Sequence, residues 1–147
     1  MLWEWKIFYD YNPSSGNHWA CYFASTGDAM SMDPNENDTA LVLGVNLDGY
    51  DDKIKCWLQK GTHMETVFDT GFDWQDEVGK DEMATFRVKR TAPSSWTLQV
   101  FVGAASSPAF QGNFTRAMDF FPRHFGLYYR YISSADQKLW LDDLFVG

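Results

Sequence analysis

The chain is poor in the features that most quickly decide a protein's class. Of 147 residues only two are cysteine, Cys21 and Cys56. That is too few for a disulfide scaffold, so a fold must rest on an apolar core. The pair is read as two buried free thiols, because cysteine packs as a small hydrophobe. A single bridge is the alternative if their strands are neighbours. Basic residues are scarce too: 12 Lys and Arg against 20 Asp and Glu give a net charge of −8. A surface of that sign disfavours the phosphate backbone of nucleic acids and an anionic membrane surface. The carboxylates are spread through loops with no long block, the pattern of ordinary solubility. No stretch approaches the roughly 20 apolar residues of a membrane helix, so no membrane insertion is expected. Residues 1–20 alternate and lack the continuous apolar run of a signal peptide. Helical periodicity is almost absent.

Aromatic residues, by contrast, are abundant. They make up 18% of the chain, with seven Trp, seven Tyr and twelve Phe. That exceeds what one small core needs, so some rings are expected at the surface, where exposed aromatics serve recognition. A chain of this length fits one domain with a sizeable core. Alternation and β-branched or aromatic content mark strands near 2–11, 18–25, 39–47, 53–60, 64–69, 83–91, 96–103, 108–115, 124–133 and 139–146. Turn chemistry separates them, as in Pro13-Ser14-Ser15-Gly16-Asn17 and Asp48-Gly49-Tyr50-Asp51. Ten short strands without intervening helices argue for an all-β, antiparallel two-sheet β-sandwich. Trp3, Trp5, Ile7 and Tyr9 share one face. So do Phe86 and Val88; Trp96, Leu98, Val100 and Val102; and Phe125, Leu127, Tyr129 and Tyr131. These are the expected inward sets. Two longer polar loops are expected at 26–38 and 70–82. The first and last strands lie close to the two ends of the sequence, which reads as a single module, residues 1–147, excised from a larger protein.

The search for reactive groups is mostly negative. There is no G-x-S-x-G elbow and no phosphate-cradling glycine loop. His18, His63 and His124 lack metal-type spacing and are expected at the surface or at strand edges. Glycosidases use two carboxylates roughly 5–10 Å apart. Sandwich glucanases of the lichenase and laminarinase type carry them on one strand as E-x-D-x-x-E, where equal parity places them on one face. No strand here has that pattern, and Glu77, Asp81 and Glu82 read as solvated. The chain is therefore expected not to be an enzyme.

Two other groupings stand out. Asp142 and Asp143 interrupt an apolar strand, and adjacent strand positions face opposite sides, so one carboxylate is expected to point inward and to need a partner. Side-by-side terminal strands would bring Glu4 close. One reading is a structural calcium ion held by Asp142, Asp143 and Glu4; the other is a hydrogen-bonded aspartate paired with Lys6, Arg87 or Arg90. The second grouping concerns sugars. A sugar ring offers an apolar C–H face and a rim of hydroxyls, so its site needs an aromatic platform beside polar side chains. Trp57 is out of phase with Ile54, Cys56 and Leu58, and Gln59 shares its face. Tyr128 and Arg130 stand likewise out of phase with Phe125, Leu127 and Tyr129. Trp74 lies among loop carboxylates. These five are the candidate ligand-binding residues.

Several stretches taken in order resemble a known type of module: Trp3-Glu4-Trp5, Asn12-Pro13-Ser14-Ser15 with Asn17, Asp52-Lys53-Ile54, Gln59-Lys60-Gly61, Phe86-Arg87-Val88-Lys89-Arg90, Trp96-Thr97-Leu98, Phe125-Gly126-Leu127, Ser133-Ser134 and Leu141-Asp142-Asp143-Leu144-Phe145-Val146. The set is similar to the concanavalin A-like (laminin G-like) jelly-roll domains of large secreted and surface bacterial proteins. The resemblance covers nearly the whole chain. It implies a jelly roll, an extracellular or cell-surface location and a binding role. The Met- and Asn-rich stretch 26–38 departs from the short Asp/Leu loop of that family. The metal ligands of legume lectins have no counterpart here. The leading expectation is a non-catalytic carbohydrate-binding module for a polysaccharide or glycan. The rival is an interaction or spacer domain packing on neighbouring domains or a protein partner. A polysaccharide hydrolase or lyase stands third.

Overall fold

The computed structural model describes all of residues 1–147 and is all-β, with two antiparallel five-stranded sheets. The strands are β1 (Leu2–Tyr9), β2 (His18–Ser25), β3 (Asp38–Val45), β4 (Lys53–Gly61), β5 (His63–Asp73), β6 (Met83–Ala92), β7 (Ser95–Val102), β8 (Phe110–Thr115), β9 (His124–Arg130) and β10 (Leu139–Val146). A single helical turn, α1 (Trp74–Glu77), follows β5, and a short 3-10 turn spans Ser133–Ala135. The first sheet runs β10-β1-β6-β7-β8 and the second β5-β4-β3-β2-β9. Strands β2 to β5 form one meander and β6 to β8 another. β9 then returns to the free edge of β2, and β10 to the free edge of β1.

The core lies between the sheets. Trp3, Trp5, Ile7 and Tyr9 of β1 face it, as do Phe86 and Val88 of β6 and Trp96, Leu98 and Val100 of β7. Val102, Phe125 and Tyr129 pack at its margin, whereas Leu127 on the edge strand β9 and Tyr131 just past its end are exposed, a correction to the expected inward set. The second sheet supplies Trp19, Cys21, Phe23, Leu41, Leu43, Ile54, Cys56 and Leu58. Rings interlock across the gap: Trp5 stacks on Phe23 at 6.0 Å, and Trp19 meets Phe86 edge-on at 5.6 Å. Cys21 and Cys56 are both buried free thiols. Each pairs with Leu43 of the intervening β3, so two inter-strand spacings separate them, beyond disulfide reach. Burial pushes both thiols upward in pKa.

The strand expectations hold in number and place, but β9 stops at Arg130 short of the expected 133, and the largest departure is at β5. That strand runs on to Asp73 instead of ending near residue 69. It does so through register shifts against β4 and through Gly71, whose φ of 68° suits glycine. The expected loop 70–82 is thus shortened, and Asp73 caps α1 by accepting from the Asp76 amide at 3.0 Å.

The second sheet is unusual in being covered on both faces: every residue of β2 is buried. Its outer face carries Ala20, Tyr22, Ala40 and Val42, over which Met32 of the 26–38 loop packs, with Leu47 and Tyr128 alongside. Gly44 lets β2 and β3 approach closely there. A Cβ at Gly44 would lie 2.4 Å from the Trp19 carbonyl oxygen and 2.6 Å from Ala20 Cα. Both obstacles are backbone or backbone-fixed, so Gly44→Ala is expected to cost about 1–3 kcal/mol in urea unfolding. Gly16→Ala, where an added Cβ meets nothing within 4 Å, should change stability by no more than about 0.5 kcal/mol.

Candidate functional site

The outer face of the second sheet brings together four of the five candidate ligand-binding residues. Side chains of Lys55, Trp57 and Gln59 point to that face of β4, opposite to Ile54, Cys56 and Leu58. Tyr128 sits across from Ala20, and Arg130 across from His18. The four are placed differently in depth. Trp57 and Gln59 are fully buried, Tyr128 is half-buried and Arg130 is exposed.

The expectation of Trp57 as an exposed platform is therefore corrected. The 46–52 loop folds over its ring, and Asp48 Oδ2 accepts from the indole Nε1 at 3.0 Å. Gln59 is likewise no surface group. Its Oε1 accepts from the Tyr22 hydroxyl at 2.9 Å, and its Nε2 lies within hydrogen-bonding distance of the carbonyls of Asp33, Glu36 and Gly61 at 3.0, 2.8 and 3.0 Å. The carboxamide thus pins the 26–38 loop onto the sheet. Trp74 is corrected too: α1 turns it into the core against Trp19 and Phe86, away from the loop carboxylates that surround it in sequence.

Between the pinned loops lies a cleft of about 300 Å³ lined by Ser15, His18, Pro34, Asn35, Asn46, Leu47, Asp48, Gly49, Tyr50, Tyr128 and Arg130. Each wall is braced. Asn46 and Asp52 clasp the 46–52 loop, with Asn46 Nδ2 donating to Asp52 Oδ1 at 2.6 Å and the Asp52 amide donating to Asn46 Oδ1 at 2.9 Å. Both residues hold φ of 58°, a conformation aspartate and asparagine tolerate best among non-glycine residues. Tyr50 at the tip of this loop is 82% exposed. On the other wall Asp38 is a buried acceptor for the Ser25 hydroxyl at 2.6 Å and for the Gly27 and Thr39 amides at 2.9 and 2.7 Å. Asp33 Oδ1 accepts from the Asn35 amide at 2.8 Å.

Histidine 18 departs from expectation, since it is 96% buried by its 4% exposure instead of lying at the surface. Its Nδ1 lies 3.2 Å from the Ser14 carbonyl, and its ring is 6.0 Å from that of Tyr128. Burial, the Ser14 carbonyl and the charge of Arg130 act on it together, and burial dominates, lowering its pKa. The ring is then neutral at pH 7, with the proton on Nδ1 and Nε2 left as an acceptor. Burial and the negative charge of Asp33 raise the Tyr128 pKa, so its phenol keeps its proton. Asp48 is engaged by Trp57, by the Thr66 hydroxyl at 3.1 Å and by Lys55 at 3.6 Å. The cleft therefore combines two tyrosine rings, a neutral imidazole, amides and one guanidinium. The sequence reading missed His18, Asn35 and Tyr50. Tyr50 had a usable signal, being an aromatic at the centre of an Asp-Gly-x-Asp turn.

The other expected grouping is dispersed. β1 and β10 do pair, but the register shifts between Glu4 and Lys6, and Asp143 adopts φ of 49°. That bulge breaks the strict alternation on which an inward carboxylate depended, and Asp142 and Asp143 are both exposed. Lys6 bonds to Asp143 at 2.5 Å, and Arg87 bonds to Glu4 at 2.6 Å. No group of three or more His, Cys, Asp or Glu side chains is placed to hold a metal ion, so the geometry lends the calcium reading no support. Glu77, Asp81 and Glu82 are exposed, as expected of solvated loop carboxylates.

No family model matches this chain, and neither a curated protein nor a solved structure matches it.

Two outcomes test this geometry. Gln59→Met keeps volume but leaves the buried Tyr22 hydroxyl without its acceptor and the carbonyls of Asp33, Glu36 and Gly61 without their donor. It should cost about 2–4 kcal/mol and speed amide exchange across residues 26–38 more than in β1 or β6. The His18 ring should titrate below its ordinary 6.5 in NMR spectra. The unfolded chain then takes up a proton near pH 6.5 that the folded chain refuses, so this group's contribution to stability is lost as the pH falls below 6.5.

Proposed function

We propose that the protein is a non-catalytic carbohydrate-binding module whose site is the cleft between the 26–38 and 46–52 loops. The observation that carries the reading is the convergence there of Tyr128 and Arg130 with Tyr50, His18 and Asn35. Aromatic faces can stack on the C–H face of a sugar, while the amide, imidazole and guanidinium groups fix its hydroxyls. The volume lies at the lower end of the roughly 300–1,000 Å³ usual for small-ligand sites. The walls are fixed by internal hydrogen bonds, so little ordering cost attends binding. Trp57 and Gln59 belong to this site as its support and not as its contact surface. The arrangement of two five-stranded sheets with adjacent terminal strands is compatible with a concanavalin A-like jelly roll in a secreted or surface bacterial protein, which the motif resemblance suggests.

A second reading rests on a different surface. β10 is an edge strand, and Trp140, Leu144, Phe145 and Val146 on it are each about half exposed. An apolar cleft of about 240 Å³ adjoins its end, lined by Met1, Trp3, Phe23, Pro122, Phe125 and Val146 among others, near the 84% exposed Phe121. Exposed apolar patches and open strand edges are typical of protein contacts. An interaction or spacer domain would use this surface. Trp57 and Trp74, both buried, would take no part.

Isothermal titration against a panel of soluble polysaccharides and their oligosaccharide digests tests the first reading. Tyr50→Ala and Tyr128→Ala should each weaken binding of a positive glycan at least tenfold, while Trp140→Ala leaves it unchanged. Equal binding by both tyrosine variants and the parent would place the site elsewhere.

A further inference from the structure

The cleft holds one charge without a counter-charge. Arg87 pairs with Glu4, Arg116 with Glu65, and Arg90 donates to the Pro93 carbonyl. Arg130 makes no ion pair, although the chain carries eight more acidic than basic residues. The one carboxylate lining the cleft, Asp48, is committed to Trp57, Thr66 and Lys55. Beside Arg130, across the β2–β9 ladder, stands His18, nine-tenths buried and hydrogen-bonded only through Nδ1.

Resting on the carbohydrate reading above, we infer that the cleft selects a saccharide bearing a carboxylate on its terminal ring, the carboxylate forking onto the Arg130 guanidinium while a ring hydroxyl donates to His18 Nε2. A planar guanidinium matches a carboxylate through two parallel N–H···O bonds. A neutral imidazole protonated at Nδ1 is an acceptor, and a hydroxyl is the donor it needs. The Tyr50 and Tyr128 rings line the same cleft and can cover the apolar face of the same ring.

The whole-protein charge of −8 narrows the class further. A long polyanion would be repelled along its length. A single carboxylate seated at Arg130 is governed by the local guanidinium, because charges beyond about 8–10 Å are largely screened at physiological salt. A cleft of about 300 Å³ likewise accommodates a terminal ring better than a run of polymer. The favoured ligand is thus an acidic chain end, such as a terminal uronic or sialic acid, and not a continuous polyuronate.

The test compares trisaccharides ending in glucuronic, galacturonic or sialic acid with the carboxyl-reduced form of each. Titrations follow the amide resonances of Tyr50 and Tyr128 and the Nε–H resonance of Arg130. At least one acidic form should bind ten times more tightly than its reduced counterpart and shift the Arg130 signal. Arg130→Gln should abolish that difference by weakening the acidic form at least ten times more than the reduced form, and Arg130→Lys should restore only part of it. Equal affinity for an acidic form and its reduced counterpart, with both shifting Tyr50 and Tyr128, would overturn the carboxylate assignment and leave the cleft as a neutral-sugar site. Absence of any shift with the acidic trisaccharides overturns the assignment as well. If the broader polysaccharide panel is also silent at Tyr50 and Tyr128, the carbohydrate reading falls with it.

Discussion

The buried carboxamide of Gln59 is the contact on which the cleft side of the molecule depends. A sandwich needs only one buried face per sheet, and the first sheet here follows that rule. The second sheet does not, because Gln59 and Tyr22 place polar groups on its outer face that require partners in a dry setting. The carbonyls of Asp33 and Glu36 meet that need, and the 26–38 loop is thereby laid across the sheet with Met32 beneath it. The opposite wall is set by a parallel device, in which Trp57 offers its indole N–H and Asp48 of the 46–52 loop accepts it. Two buried donors on β4 thus hold two loops, and the gap left between them is the cleft.

This arrangement explains why the abundance of tryptophan does not translate into exposed indoles. Six of the seven tryptophans are buried. Five serve the inter-sheet core, and Trp57 serves as a post for a loop. In the proposed site recognition falls to tyrosines, whose rings offer an apolar face and a polar tip. It also explains how a rigid site can sit on loops: the Asn46–Asp52 clasp and the Asp38 acceptor satisfy the loop backbone from within, so the walls stand independently of any ligand.

Much of the fold was legible because alternation is a local property. Strand positions, the inward sets of β1, β6 and β7, and the shared outward phase of Trp57, Gln59, Tyr128 and Arg130 all follow from parity. What parity could not convey was depth. Whether an outward residue meets water depends on loops distant in sequence, and Trp57 and Gln59 are covered by loops that their own strand does not reveal. Parity also fails at a bulge, which is why Asp142 and Asp143 both reach solvent and why β5 runs past Gly71. His18 escaped notice for the same reason as Trp57, since a histidine at a strand start carries no local sign of being roofed.

The central claim is that the cleft between the two pinned loops, and not the apolar β10 edge, is the binding surface. Amide chemical-shift mapping during titration with a bound glycan addresses it most directly. On this account the shifts cluster at residues 14–18, 33–36, 46–50 and 126–130. Shifts confined to β10 and the 118–125 segment would contradict it and identify the edge strand as the functional surface.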